Sequence, residues 1–216
     1  MDAHAYALEA EIEADHWWFE GRRQLFSRII RQLQAEPSWR ILDVGTSTGT
    51  NLRMLRDMEF KDVTGLDNSE SAIQFCQSKG FGPVHLGDVQ EMPFENERFD
   101  LILATDIVEH VPDDSKAIKE LARILAPGGK LLVTVPAFMS LWGHNDDMAH
   151  HQRRYTMSGV LDIVRAGGLS VEQNYYFNFL LFLPIWLVRV LMKRFGADGG
   201  PPENEINSPR INRLLK

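Results

Sequence analysis

The segment Asp43-Val44-Gly45-Thr46-Ser47-Thr48-Gly49 directly follows a short apolar run, residues 40–44. Glycines let a backbone turn tightly and let a ligand approach the main chain. A helix starting just beyond such a turn aims its free amides at that ligand. One glycine-rich turn is a weak signal, because many nucleotide-binding proteins carry one. Asp67, 24 positions after Asp43, closes a second run over residues 62–67. An acid there can accept both ribose hydroxyls of an adenosine-containing ligand. Asp88, followed by Val89 and Gln90, closes a third run, where an acid can reach an adenine amino group. Taken singly, each acid could simply cap a loop or helix. Three acids at three successive strand ends argue for a ligand cradle.

The elements that would position these acids alternate along the chain. Strands are expected at 40–44, 62–67, 84–88, 99–106 and 130–136, with a sixth at 169–177. Between them, helical periodicity marks residues 50–59, the segment SESAIQFCQSKG with its N-cap serine, and SKAIKELARILAPGG, which stops at Pro127-Gly128-Gly129. A further helix is expected over 157–168. Strands alternating with helices over about a hundred residues imply an α/β fold, a doubly wound, mostly parallel sheet with helices on both faces. Ligands in such sheets bind beyond the carboxyl ends of the strands, near the switch in strand order. Residues 1–39 read as a helical lid interrupted by His16-Trp17-Trp18-Phe19, residues 40–177 as the core, and 178–216 as an apolar helix with a tail.

The chain resembles class I S-adenosylmethionine-dependent methyltransferases of the methyltransferase-11 type, over about residues 16–180. The resemblance matches Asp43, Gly45 and Gly49 to the family's first loop, with Thr46 between them. Ser47 stands where the family has a middle glycine, a departure expected to be tolerated because a small residue matters there more than a positive φ angle. It matches Asp67, beside Asn68, to the ribose-binding acid and Asp88, beside Val89, to the adenine-contacting one. Thr105-Asp106-Ile107-Val108-Glu109-His110 resembles the family's motif after strand 4, and Leu125-Ala126-Pro127-Gly128-Gly129 the turn before strand 5. The implied cofactor is S-adenosyl-L-methionine, leaving as S-adenosyl-L-homocysteine. A nicotinamide is disfavoured because the first loop lacks the G-x-G-x-x-G order. The fold so implied has a seventh strand, and none is legible before Lys216.

Transfer from an activated sulfonium gains chiefly from alignment, and a base is needed only where the acceptor must lose a proton. Candidates lie in the loop after strand 5, which resembles a subfamily pattern W-S-x-H-D-x4-H-x-R-R-Y. Trp142, Asp146, His151, Arg153, Arg154 and Tyr155 match, whereas Gly143 and Asn145 depart from it. His151 is the first candidate for a base, against a structural histidine bonded within its loop. Arg153 and Arg154 suit a phosphate or carboxylate on the acceptor, against a loop-ordering salt bridge to Asp146 or Asp147. His110 could face the acceptor or cap the next helix. Near the N-terminus, Trp18 and Arg22 could wall the pocket, Arg22 meeting the methionine carboxylate. No metal is expected.

The chain has 216 residues, 44% hydrophobic and 25% charged, as in a soluble globular domain with an extension. A net charge of -7 argues against nucleic-acid binding, which needs a basic face. One cysteine, Cys76, excludes an intrachain disulfide and fits a reducing cytoplasm; it is expected to be inert packing. The run from Phe177 to Met192 carries Asn178, Pro184 and Arg189 and is poorly suited to spanning a bilayer. It reads either as a buried helix walling the acceptor pocket or as a helix lying in the inner membrane surface, with Arg189, Lys193 and Arg194 at the headgroups. The second reading fits a lipid- or glycan-linked acceptor; a small-molecule acceptor remains the other possibility. An uncovered sheet edge would favour a dimer. The alternative function is a catalytically silent, cofactor-binding partner protein, which the altered positions Ser47, Gly143 and Asn145 would permit.

Overall fold

The computed structural model describes Ala10, Glu13 and residues 16–195. Most of the expected lid before His16 and the tail from residue 196 onward lie outside the described residues. Five strands form one sheet: β1 (Arg40–Val44), β2 (Asp62–Asp67), β3 (Val84–Leu86), β4 (Phe99–Thr105) and β5 (Leu125–Thr134). Their order is β3-β2-β1-β4-β5 and every pairing is parallel. The order therefore reverses between β1 and β4, and the carboxyl ends of these two strands flank the crevice where ligands of such sheets bind.

Side chains alternate across the sheet and fill two cores. Leu42 and Val44 of β1 and Ile102 and Ala104 of β4 pack on one face with Ala117, Ile118, Leu121 and Ile124. These four come from helix α4 (Asp114–Ile124), which with α6 (Met157–Ala166) covers that face. Ile41, Leu101 and Leu103 point to the other face, against Phe26 and Ile30 of α1 (Trp17–Gln32) and Met54 and Leu55 of α2 (Thr50–Asp57). This two-sided burial is why β4 reads as a continuous apolar run.

Three helix starts follow sequence signals. Ser69 accepts from the Ala72 amide at the start of α3 (Glu70–Ser78), Asp113 from Lys116 in α4, and Thr156 from Gly159 in α6. The aromatic cluster interrupts the helical region at its first residue, His16, which separates the helical Ala10 and Glu13 from α1. His16 is its N-cap, its ring nitrogen accepting from Trp18 N, and Trp17, Trp18 and Phe19 form its first turn.

One expected strand is absent. Residues 169–177 form no ladder with β5, and Gln173 and Tyr175 within them are exposed. Side-chain contacts hold the segment instead: Lys130 pairs with Glu172, and the Tyr176 hydroxyl accepts from the Met157 amide at the head of α6. After β5 the chain makes the short helix α5 (His144–Met148), then α6, and finally α7 (Phe182–Phe195).

Candidate active site

The turn after β1 is folded as its glycines require. Gly45 has φ 75° and donates to Leu66 O at 2.7 Å. A Cβ there would lie 1.9 Å from Ile107 Cδ1, so the position is closed to other residues. Gly49, φ 81°, is the left-handed N-cap of α2. Ser47 also adopts a positive φ, 45°. The expectation that smallness outweighs φ at this position is therefore corrected: the serine takes the conformation a glycine adopts at less cost. Asp67 compensates, its carboxylate accepting from Ser47 N and Ser69 N at 2.9 Å each. Thr46 is buried beneath the turn, and Cys76, fully enclosed, donates to Ser47 O. Burial pushes the Cys76 thiol up to about 11, which keeps it protonated and unreactive at neutral pH.

The three acids end at different depths. Asp43 is fully buried, accepts from Asn51 Nδ2 at 2.9 Å, and leaves its second oxygen without a partner among the described residues. Asn51 also donates to Thr105, which ties the tips of β1 and β4 together. Asp67 is nearly buried and keeps lone pairs for further donors, since a carboxylate accepts about four hydrogen bonds. Asp88 and Asn68 are exposed, with Asp88 accepting from Gln90 N in its own turn, while Val89 is buried below it. An unpartnered buried oxygen, an acid with spare lone pairs and a left-handed loop together fit an adenosyl group carrying an amino acid.

Burial, opposed by the Asn51 bond, pushes the Asp43 carboxyl up to about 8; Asp67 adds to the rise and Arg22 resists it. From the ordinary carboxylate range up to about pH 8 the folded chain then holds a proton that the unfolded chain releases, so the stability of the ligand-free chain falls as pH rises through that window. Asp43→Asn is expected to flatten this dependence, so its melting temperature should gain on the parent between about pH 5 and pH 8. A pH-independent gap between the two melting curves would refute it.

The crevice beyond β4 holds a second group. Arg22, on the lid helix, pairs with Asp106 Oδ2 at 2.5 Å and lies under the Trp18 and Phe26 rings. The guanidinium expected to meet a methionine carboxylate thus already has one acidic partner. Beside it, a cavity of about 230 Å³ is walled by Trp17, Trp18, Arg22, Leu25 and Phe177, the Trp18 and Phe177 rings 5.5 Å apart. The Glu13 carboxylate accepts from the Thr48 and Thr50 hydroxyls, so the N-terminal segment reaches the cofactor loop.

The loop after β5 is brought back to β4 by its backbone: Gln152 N donates to Glu109 O at 2.8 Å. His151 Nδ1 lies 2.8 Å from Asp146 Oδ1, and its Nε2 lies 4.0 Å from Glu109 Oε1. Asp146 is fully enclosed and also accepts from Gly143 N, Arg154 Nε and Arg154 Nη2. Hydrogen bonds from His151 and Arg154 outweigh the burial and hold its carboxyl well below the usual carboxylate range. His110 meets the His151 ring edge to face at 4.7 Å; burial, reinforced by His151, lowers its pKa. His110 does not cap the next helix, since Asp113 does.

Two residues matched to the acceptor lie inside the scaffold. Tyr155 is buried, donates to Asp114 Oδ2 at 2.9 Å and belongs to the core under α4. Arg153 bridges Asp114 and the Val111 and Pro112 carbonyls, a loop-ordering pair on a different acid from those expected. Arg154 pairs with Asp146, and Trp142 donates to Asp147. The structure adds Glu109, Asn51, Asp106 and Glu13 to the site. Glu109 was detectable as an acid inside the apolar stretch Ile107–Val111; Asn51 and Glu13 carry no local signal.

Comparison with known proteins agrees with this geometry. A family model described as "Methyltransferase domain" matches residues 42–133. A protein of Mycolicibacterium smegmatis named "Probable S-adenosylmethionine-dependent methyltransferase" is 22% identical over 167 residues, covering 76% of this chain and 63% of its own. The chloroplastic 2-methyl-6-phytyl-1,4-hydroquinone methyltransferase of Arabidopsis thaliana is 31% identical over 114 residues, covering 50% of this chain and 33% of its own. The chain thus spans between a third and two thirds of the length of these relatives. Among solved structures, the cyclase SpnF shares the fold at a TM-score of 0.63 and 22% identity, with 83% of this chain and 69% of that chain covered. With the parallel sheet and the acids at its strand tips, the matched segment, residues 42–133, is similar to the methyltransferase domain of class I S-adenosylmethionine-dependent methyltransferases.

Proposed function

We propose that this chain binds S-adenosyl-L-methionine at the tips of β1, β2 and β3 and transfers its methyl group to a small or lipid-like acceptor held between β4, the lid helix and the loop carrying His151. The cofactor supplies an electrophilic methyl on a sulfonium; the chain's residues hold and align the two partners. Asp67 and the turn from Gly45 to Gly49 would seat the adenosyl and methionine parts. Asp43, at the floor of the crevice, would release its proton as the positive charge of the cofactor arrives and then answer that charge.

The observation that carries the reading is the Asp146–His151 pair standing just beyond β4, beside those strand tips. Asp146 stays ionised and accepts a hydrogen bond from Nδ1–H, which leaves the Nε2 lone pair directed to Glu109 and the crevice. A bare Nε2 can then receive the proton an acceptor hydroxyl loses on methylation. Labelled S-adenosyl-L-methionine with extracts containing candidate acceptors tests this. His151→Ala should slow transfer by about 100-fold or more while leaving cofactor affinity within a few-fold. A chain that binds cofactor but labels nothing would support the silent-partner alternative.

The lipid side of the proposal rests on α7 and the short helical turn before it, Phe179–Leu181. Phe179, Leu180, Leu183, Leu187 and Val188 are each at least half exposed, Leu180 at 90%. A contiguous exposed apolar strip of this kind marks an interaction surface. Among the described residues no helix is long and apolar enough to cross a membrane, so the strip would lie on a lipid surface. The Arg189 guanidinium packs over Gly143, 3.3 Å from where a Cβ would stand. Vesicles of phosphatidylethanolamine and phosphatidylglycerol should co-sediment the chain, and Leu180→Asp with Leu183→Asp should release it. A chain that stays in the supernatant, or forms dimers through this strip, sinks the lipid reading.

A further inference from the structure

Glu109, His110 and His151 bring one carboxylate oxygen and two imidazole nitrogens within 4.8 Å of one another. Glu109 sits in the short turn after β4, wholly enclosed, and neither oxygen has a hydrogen-bond partner among the described residues. A buried carboxylate left bare is costly, and such groups are otherwise found paired or on a metal. The facing nitrogen, His151 Nε2, lies 4.0 Å from Oε1, beyond hydrogen-bond reach. Two ligand atoms each about 2.1 Å from a shared ion would need to close that gap by only about half an ångström. His151 is already oriented for this, since Asp146 holds Nδ1 at 2.8 Å, the carboxylate–histidine arrangement that aims ligating imidazoles. Arg154 and Gly143 N fix Asp146 in turn. Asp106, three residues before Glu109, adds negative charge nearby.

We infer that Glu109, His110 and His151 form a binding site for one first-row divalent cation, positioned to hold an oxygen of the acceptor. Two imidazoles with one carboxylate suit zinc-like or manganese-like ions better than magnesium or calcium, which prefer oxygen alone. Three protein ligands leave positions open for an acceptor hydroxyl or phenol. The inference rests on the methyltransferase reading only for the identity of that oxygen. It makes Nε2 a ligand when the ion is bound, and the acceptor is then activated by the cation's charge in place of the imidazole lone pair.

The experiment uses the full chain, stripped with a chelator and titrated with Co2+ as an optical probe. Zn2+ and Mg2+ serve as competitors, and S-adenosyl-L-methionine binding is measured by calorimetry on the same samples. One Co2+ per chain is expected, with visible absorption that Zn2+ abolishes and a large excess of Mg2+ does not. Glu109→Gln and His151→Ala should each weaken binding by about tenfold or more, while His150→Ala, on the neighbouring exposed residue, should not. Circular dichroism checks that Glu109→Gln, which keeps its shape, remains folded. Absence of the Co2+ signal, or a signal that both variants retain, overturns the site. Cofactor binding without Co2+ binding removes this inference alone; Co2+ binding without cofactor binding leaves the site standing and removes the proposed function.

Discussion

Asp146→Ala is expected to destabilise the chain by about 3–5 kcal/mol, because removing one partner of an enclosed ion pair leaves the other uncompensated. For a chain of this size that is a fall of roughly 10 °C in melting temperature. Asp146 receives four donors from three residues. Without it, the largely buried Arg154 guanidinium keeps, among the described residues, the Ala137 carbonyl alone, and the loop from Gly143 to Tyr155 loses its hub. The effect has a pH signature. The Asp146 carboxyl is held below its ordinary range, so its contribution is present above the unfolded value near pH 4 and fades as pH falls. The gap between parent and variant should therefore shrink in acid. A loss under about 1 kcal/mol at neutral pH would mean that the pair is solvent-screened and not an enclosed hub.

Asp67→Ala should weaken S-adenosyl-L-methionine binding by about 10- to 100-fold, the loss of one or two hydrogen bonds to a charged acceptor. Two losses coincide in this variant. The ribose would lose its acceptor, and Ser47 would lose the bond that holds it in a left-handed conformation. Asp67→Asn retains one acceptor oxygen and should fall between. Asp88→Ala should cost only a few-fold, because that carboxylate is exposed and closes its own turn. Calorimetry on the three variants decides the matter; equal affinities for parent and Asp67→Ala would show that the ribose is held elsewhere.

The parallel core was legible because its signals are local. Buried strands are apolar runs, the bounds of β1 and β2 follow from the runs themselves, and Ser69 caps α3 as its side chain dictates. Residues 169–177 misled because their alternation resembles a half-buried strand, whereas a strand also needs a paired neighbour that no local pattern supplies. Within the site, Asp43, Asp67 and His151 were readable by type and spacing. Glu109 belongs with His151 only through a backbone bond spanning the sheet edge, and Glu13 meets the cofactor loop from 35 residues upstream. Tyr155 and Arg153 match an acceptor pattern by type, but their contacts are decided by Asp114 on a helix far away in sequence.

The seat of Arg189 on Gly143 gives the apolar helix a mechanical line into the chemistry. The Gly143 amide is one of the donors to Asp146, and Asp146 in turn aims the His151 ring. A displacement of the helix that moved the Arg189 guanidinium would press on Gly143, whose amide bonds the carboxylate that orients His151. The surface that would meet a greasy substrate's surroundings and the group that would activate that substrate are consecutive links in one lever.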